Sequence, residues 1–375
     1  MSLEVDSALY LTLDQGGHAS RALVFDERGT LLAKGLREVR VHHPQADWVE
    51  QDPEELIASL HEAISDALEN LGLKSPLFAA AGLATQRSSI VCWDRITGRA
   101  LSPVISWQDR RAHAWLKRFA PDAKRVHAIT GLPLSAHYGA SKLRWCLDHL
   151  PAVMQAQAKG RLVMGPLASF LVFRFTEEHC LAVDPANAAR TLLYNLNTQN
   201  WDAGLLHLFD IPLAVLPTCV STRHVFGQIT IANRLVPLTI VTGDQSAALF
   251  AHGAPRPNSA YLNMGTGAFV QRITGNTSQH LPQLLTGIVL QDIHDSTYVL
   301  EGTVNGAGAA LQWVESELGL EDLEQQLPQW LANDCEPPLF LNGVAGLGAP
   351  FWVADYESRF LAEAEPWKMA VAVAE

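Results

Sequence analysis

Ala8-Leu9-Tyr10-Leu11-Thr12-Leu13-Asp14-Gln15-Gly16-Gly17-His18-Ala19-Ser20-Arg21-Ala22-Leu23-Val24-Phe25 reads as a strand, a glycine turn and a second strand. The run Ala8 to Leu13 is mostly apolar, Asp14 to Gly17 interrupts it, and Arg21 to Phe25 resumes it before Asp26-Glu27-Arg28-Gly29 turns the chain again. The same layout returns once, as Ala260 to Met264, Gly265-Thr266-Gly267, then Phe269 to Ile273. Neither turn is a Walker loop, because a strand rather than a helix follows each and no G-x-x-x-x-G-K-[ST] occurs.

Outward from the first turn, Pro53 opens a segment in which Leu56, Leu60, Ile64 and Leu68 recur every fourth residue, the spacing of one helix face. Phe78 to Thr85 and Ile90 to Trp93 read as strands, the latter closed by Asp94 to Gly98. This alternation predicts an α/β domain with a mixed sheet. From Arg110 to roughly Phe175 the pattern is mainly helical, with Trp107, Trp115 and Trp145 supplying large apolar surfaces. After Pro237, Leu238 to Thr242 is a buried-type strand, Gly243-Asp244-Gln245 a turn, and Ser246 to Phe250 the start of a helix. Gly253, Pro255 and Pro257 interrupt the pattern, so the boundary is expected near residues 250 to 257, with an N-terminal domain over 1–252 and a C-terminal one over 253–375.

The 375 residues exceed the roughly 250 to 300 that one core supports, which suits two domains and leaves room for a cleft. With 48% hydrophobic and 18% charged residues, the composition is that of an ordinary globular chain rather than a disordered one. No stretch approaches the ~20 apolar residues of a membrane span. Glu4 and Asp6 stand where a signal peptide would carry positive charge, so a cytoplasmic location is expected. A formal charge of −12 argues against a nucleic-acid-binding surface, which needs clustered Lys and Arg. The five cysteines, at 92, 146, 180, 219 and 335, show no C-x-x-C pair and read as reduced core thiols. The histidines lack the H-x-x-x-H and H-E-x-x-H spacings of zinc sites.

Each glycine turn permits positive φ and close backbone approach, so its amides can point at a phosphate oxygen; each can equally be a plain hairpin. Asp244 falls at a strand end, where a carboxylate can take the proton of an attacking hydroxyl, or can cap the helix that follows. Gln86-Arg87-Ser88 and Trp107-Gln108-Asp109-Arg110-Arg111 also follow strands; Arg and Trp there can hydrogen-bond and stack on a polyol, while Arg110 and Arg111 can equally be solvated helix-start residues.

Taken in order, Leu13-Asp14-Gln15-Gly16, Ser20-Arg21, Trp48-Val49-Glu50-Gln51-Asp52-Pro53, Gln86-Arg87, Trp107-Gln108 with Arg110-Arg111, Ser141-Lys142-Leu143-Arg144-Trp145, Gly243-Asp244-Gln245, Gly265-Thr266-Gly267 and Gly346-Leu347-Gly348-Ala349-Pro350 resemble the FGGY carbohydrate kinases, above all their glycerol kinase branch. The resemblance runs from about residue 8 to residue 356. It implies an actin-like, hexokinase-like two-domain fold with ATP and Mg²⁺ between the domains, and phosphoryl transfer to a small sugar or polyol. By position, Asp244 matches the catalytic base and Asp14 the acidic residue that holds Mg²⁺ through water. Gly16, Gly17, Ser20 and Arg21 match the first phosphate loop, Gly265, Thr266 and Gly267 the second, and Gly308 and Gln312 positions beside the nucleotide. Arg87 and Trp107, with Ser88, His137, Asp244 and Gln245, match the acceptor pocket.

The chain departs from the glycerol kinase pattern in three places. Gly17, His18 and Ala19 stand where two threonines and a serine are usual, leaving backbone amides, Ser20 and Arg21 for phosphate. Ser88 replaces a glutamate and His137 a tyrosine, which argues for an acceptor other than glycerol. The family's adenine-holding segment is expected beyond Pro350, and this chain ends before providing it. The second domain is therefore expected to be incomplete, with ATP held mainly by its phosphates and apolar surface open to a second copy or a partner chain. The alternative reading is a catalytically weak relative that binds a sugar or phosphorylated ligand.

Overall fold

A computed structural model describes residues 8–74, 76–257, 259–353 and 356–375. Glu4 and Asp6, on which the leader reading rests, lie outside the described residues. One compact unit runs to Pro255 and takes in Gly275–Ser278 and Gly287–Tyr298; the other holds Arg256–Thr274, Gln279–Thr286 and Val299–Glu375.

The first unit is built on six strands: β1 (Leu9–Gln15), β2 (Ala19–Phe25), β3 (Leu31–Glu38), β4 (Phe78–Thr85), β5 (Arg223–Ile231) and β6 (Arg234–Gly243), in the sheet order β5-β6-β4-β1-β2-β3. The sheet is mixed. β1 and β6 flank β4 and run parallel to it, whereas β1–β2, β2–β3 and β5–β6 are antiparallel. Helix α1 (Pro53–Leu71) covers one face. Its start is set by Asp52, whose side chain accepts from the Glu54 amide, and by Pro53 at the first helical position. Gly72, left-handed at φ 67°, ends it. Leu56, Leu60 and Ile64 are buried beneath it, as their spacing predicts. The helix lies so close to β3 that a Cβ at Gly35 would stand 2.0 Å from the Ala63 carbonyl oxygen.

The segment after residue 110 is mainly helical and includes α2 (Gly139–His149), but Leu162–Pro166 is a fully buried strand rather than part of a helix. β6 is also longer than its sequence suggests. Pro237 lies inside it, where the strand is paired only with β5; pairing with β4 begins at Leu238, so no ladder bond on the β4 side is lost to the missing N–H. Helix α3 (Asp244–Ala248) follows directly.

The second unit contains the repeat of the opening layout, β7 (Ala260–Met264) and β8 (Ala268–Gly275). With β9 (Leu285–Gln291) and β10 (Ser296–Val304) these strands form a sheet in the order β7-β8-β10-β9, and α4 (Gly308–Leu318) comes next. All five cysteines are free; Cys92 and Cys146 are buried, Cys180 and Cys219 are partly exposed but pack against core clusters, and Cys335 is partly exposed. Among the described residues no helix is long and apolar enough to cross a membrane.

Asp184 carries a pH dependence. Its buried carboxylate caps a short helix, accepting from the Asn187 amide at 3.1 Å and from Asn187 Nδ2 at 2.8 Å. Burial outweighs these bonds and pushes the carboxyl up to about 6. In the unfolded chain it titrates near 4. The folded state therefore holds its proton longer, so this group's favourable contribution is complete below about pH 4 and is lost as pH rises through 6. The difference corresponds to about 3 kcal/mol. In urea denaturation, the stability of Asp184→Asn relative to wild type is expected to improve by about that amount between pH 4 and 7. A pH-independent difference would show that the carboxyl is not shifted.

Candidate active site

The register of the first sheet gathers the candidate residues. Gln15 is level with Thr85, and Thr85 with Gly243, so the parallel strands β1, β4 and β6 end on one line. Three loops leave the sheet at that carboxyl edge: the turn after Asp14, the segment Gln86-Arg87-Ser88, and Asp244-Gln245. This is the edge at which open α/β sheets bind ligands.

In the first turn, Asp14 faces Arg21 across the β1–β2 ladder, and Arg21 Nη1 donates to Asp14 Oδ2 at 2.7 Å. Ser20 points the opposite way, as alternation requires. It is buried beneath α1, donating to Gln15 Oε1 at 2.9 Å and lying 2.7 Å from Ser59 Oγ. Its hydroxyl is thus withdrawn from the turn, which corrects its assignment as a phosphate ligand. The turn is braced through its carbonyls: Gln51 Nε2 donates to Gly17 O at 3.0 Å, and Gln86 Nε2 to Gly16 O at 3.4 Å and to Gln51 Oε1 at 2.7 Å. The Gly16 amide donates to Ala19 O at 2.9 Å; among the described residues the amides of Gly17 and His18 meet no protein acceptor. Neither glycine has positive φ. What Gly16 supplies is close approach, since a Cβ there would lie 3.2 Å from Ala19 O.

Asp244 is the first residue of α3, and the cap position belongs to Gly243. The capping reading therefore fails by one residue: Asp244 Oδ1 accepts from the adjacent Gln245 amide at 2.6 Å, and the side chain stays one-third exposed at the strand end. Arg87 Nε lies 3.9 Å from Asp244 Oδ1. The alkyl stem of Arg87 crosses Gly243 so closely that a Cβ there would stand 2.5 Å from its Cγ.

Around this pair the pocket residues are held by backbone bonds. Ser88 is left-handed at φ 65°, an uncommon conformation for a residue other than glycine, and its buried Oγ has no hydrogen-bond partner among the described residues. Ser89 Oγ accepts from the Trp107 amide at 3.0 Å and donates to Gln86 Oε1 at 3.0 Å, linking the Trp107 loop to the first turn. The Trp107 and His137 rings lie 5.5 Å apart. Burial, then the charges of Arg110, Lys142, Arg190 and Arg87, hold His137 well below the usual imidazole range, so it is neutral at neutral pH. Arg110 folds back on its own loop, donating to Trp107 O and Gln108 O at 3.0 Å. Arg111 is buried between Trp48 and Trp145 and bonded to Glu50 and Asp109. Neither arginine is a solvated helix-start residue.

In the second unit, the Gly265-Thr266-Gly267 turn is locked to the start of α4. Ala307 and Ala309 amides donate to Thr266 O at 2.9 and 3.0 Å, and the Gly308 amide to Gly265 O at 2.9 Å. The amides of Thr266 and Gly267 meet no acceptor among the described residues. Here too the glycines serve close approach. A Cβ at Gly267 would stand 2.9 Å from Val304 O, and one at Gly308 2.8 Å from Gly265 O. Gln312 is exposed on α4, one turn beyond Gly308 on the same face. Gly308→Ala should displace the turn, lowering stability by about 1 to 3 kcal/mol and raising the KM for ATP by about 10- to 100-fold. An unaltered KM in steady-state kinetics would detach this turn from nucleotide binding.

The profile of the FGGY family of carbohydrate kinases, N-terminal domain, matches residues 9–251. The chain belongs to the FGGY carbohydrate kinases. This FGGY chain is 37% identical over 358 residues to a glycerol kinase of Acinetobacter baylyi, a match that takes in 94% of this chain and 72% of that protein. Among solved structures, glycerol kinase of Plasmodium falciparum with ADP superposes with a TM-score of 0.90 at 25% identity, covering 98% of this chain and 76% of that one. Gluconate kinase from Lactobacillus acidophilus, with a TM-score of 0.85 at 20% identity over 98% of this chain and 75% of that one, has the same fold. The fold is thus the actin-like, hexokinase-like one, and the family's chemistry is ATP-dependent phosphoryl transfer to an alcohol group of a sugar or polyol.

The braces are what the sequence leaves unread. Gln51 and Gln86 lie within the Trp48–Pro53 and Gln86-Arg87 motifs, yet nothing in their spacing shows that they bond each other and the first turn. Lys142 carried one available signal: a lysine set among Ala140, Leu143, Cys146 and Leu147, all buried on α2.

Proposed function

We propose that this FGGY kinase transfers the γ-phosphoryl group of ATP to a hydroxyl of a small sugar or polyol bound among Arg87, Ser88, Trp107, His137 and Gln245, with Asp244 as general base. The observation that carries the reading is the common line on which β1, β4 and β6 end, since it sets the Asp244 carboxylate beside Arg87 and on the same sheet edge as the first glycine turn. As the acceptor oxygen attacks phosphorus, its proton passes to Asp244, a new P–O bond forms, and the bond to the bridging oxygen of ADP breaks. Arg87 keeps a positive charge beside the carboxylate and offers donors to the acceptor's other hydroxyls.

The residues present suit a polyphosphate. Gly16, Gly17 and Arg21 in the first unit and, separately, Gly265, Thr266 and Gly267 in the second would each hold phosphate oxygens, using amides at Gly17, Thr266 and Gly267 that meet no protein acceptor among the described residues. Gly308 and Gln312 would flank the nucleotide. Asp14, partly exposed with one oxygen on Arg21, would hold Mg²⁺ through water, and the bound ion would offset charge on the phosphates. The proposed setting is the cytoplasm, where ATP is available.

The acceptor is not glycerol, or glycerol is a poor one. Ser88 is shorter than the glutamate of the glycerol kinase pattern and uncharged, so it offers a weaker acceptor to a triol's hydroxyls, and His137 alters the wall that a tyrosine would form. ADP release should be followed over a panel of glycerol, xylulose, gluconate and four- to six-carbon polyols. Glycerol is expected to have a kcat/KM at least about 100-fold below the best acceptor. Saturable glycerol turnover at low concentration would refute this acceptor assignment.

A further inference from the structure

Lys142 lies on α2 with its side chain buried, and its Nζ donates to three backbone carbonyls: Ser88 O at 3.1 Å, Ser106 O at 2.8 Å and His137 O at 2.8 Å. The carbonyls come from three separate loops. One carries Arg87 and Ser88, the second leads into Trp107, and the third carries His137. An ammonium group has three N–H bonds, and here each finds one acceptor.

From this geometry we propose that Lys142 is a positioning residue for the acceptor pocket: a single buried ammonium sets the spacing of the three loops that present Arg87, Ser88, Trp107 and His137, and so determines which acceptor fits. The inference rests on the acceptor-pocket reading of these four residues. A cation is a costly way to fill an apolar helix face. Burial and the charge of Arg110 both disfavour its protonated form, and Asp109 offsets them only in part. Methionine would pack the same stem without that cost, so the ammonium is retained for the carbonyls it joins. Ser88, whose carbonyl Lys142 holds, is also in the left-handed region, a conformation that its surroundings must keep in place.

The test uses the full chain, MgATP, and the panel acceptor with the highest wild-type turnover. Lys142→Met should raise the acceptor KM about 10- to 100-fold, leave the KM for ATP within about twofold, and flatten the kcat/KM ratios among panel acceptors. In Lys142→Ala, propylammonium should fill the vacated space and lower the acceptor KM again, whereas tetramethylammonium, with no N–H, should not. An unchanged acceptor KM, an equal loss toward both substrates, or failure of both variants to fold would overturn the positioning role and leave a structural one. Wild-type protein without turnover on any panel member would overturn the kinase reading itself, which separates the two failures.

Discussion

Asp244→Asn is expected to lower kcat by about 10²- to 10⁴-fold, the usual contribution of a positioned base. The amide keeps the shape of the carboxylate, and its oxygen can still accept from the Gln245 amide, as Asp244 Oδ1 does at 2.6 Å. The start of α3 is capped by Gly243, not by this side chain, so helix stability should hardly change. What is lost is the proton acceptor and the negative charge 3.9 Å from Arg87 Nε. The KM for ATP should stay within a few-fold, with circular dichroism and melting temperature close to wild type. Near-normal turnover would leave Asp244 without a chemical role.

The second large effect concerns Asp14. Asp14→Asn should reduce kcat/KM by about 10²- to 10³-fold, the scale on which a preorganised electrostatic group acts on a phosphoryl transition state, and raise the Mg²⁺ concentration for half-maximal rate about tenfold. The ion pair with Arg21, at 2.7 Å, offers a competing explanation, because the variant also removes the negative charge that pairs with that guanidinium. Arg21→Met separates the two. It breaks the same pair but should raise the KM for ATP without moving the Mg²⁺ requirement. An unshifted Mg²⁺ requirement in Asp14→Asn, or an equal shift in both variants, would make Asp14 a partner of Arg21 and nothing more.

Both strand–turn–strand units and α1 were legible because each rests on local periodicity. Apolar runs on either side of a glycine turn mark β1 and β2, and Leu56, Leu60 and Ile64 fall on one helix face. β5 and the first part of β6 were not, for two local reasons. Their hairpin turns on Ala232-Asn233, both at positive φ without a glycine, and Pro237 reads as a break although it occupies the stretch paired on one side only. Leu162–Pro166 was hidden inside a continuous apolar run, where a buried strand and a buried helix look alike.

The site followed the same division. Motif residues such as Asp14, Arg87 and Asp244 could be named from sequence, but their common sheet edge depends on strand order and register. Ser20 was misassigned although its strand position already turned it beneath α1. Lys142 was marked only by its apolar helix setting, and its partners could not be read, since they are backbone carbonyls, two of them 54 and 36 residues away.

The central claim is phosphoryl transfer to a carbon-bound hydroxyl with Asp244 as base, and the most direct measurement follows the γ-phosphate itself. Wild-type chain and Asp244→Asn would be incubated with MgATP labelled in the γ-phosphate and each member of the acceptor panel, and the products separated. The expected result is label in an acceptor phosphoester, formed only when that acceptor is present and reduced by two or more orders of magnitude in the variant. Label confined to inorganic phosphate, or transfer unchanged in Asp244→Asn, would contradict the account.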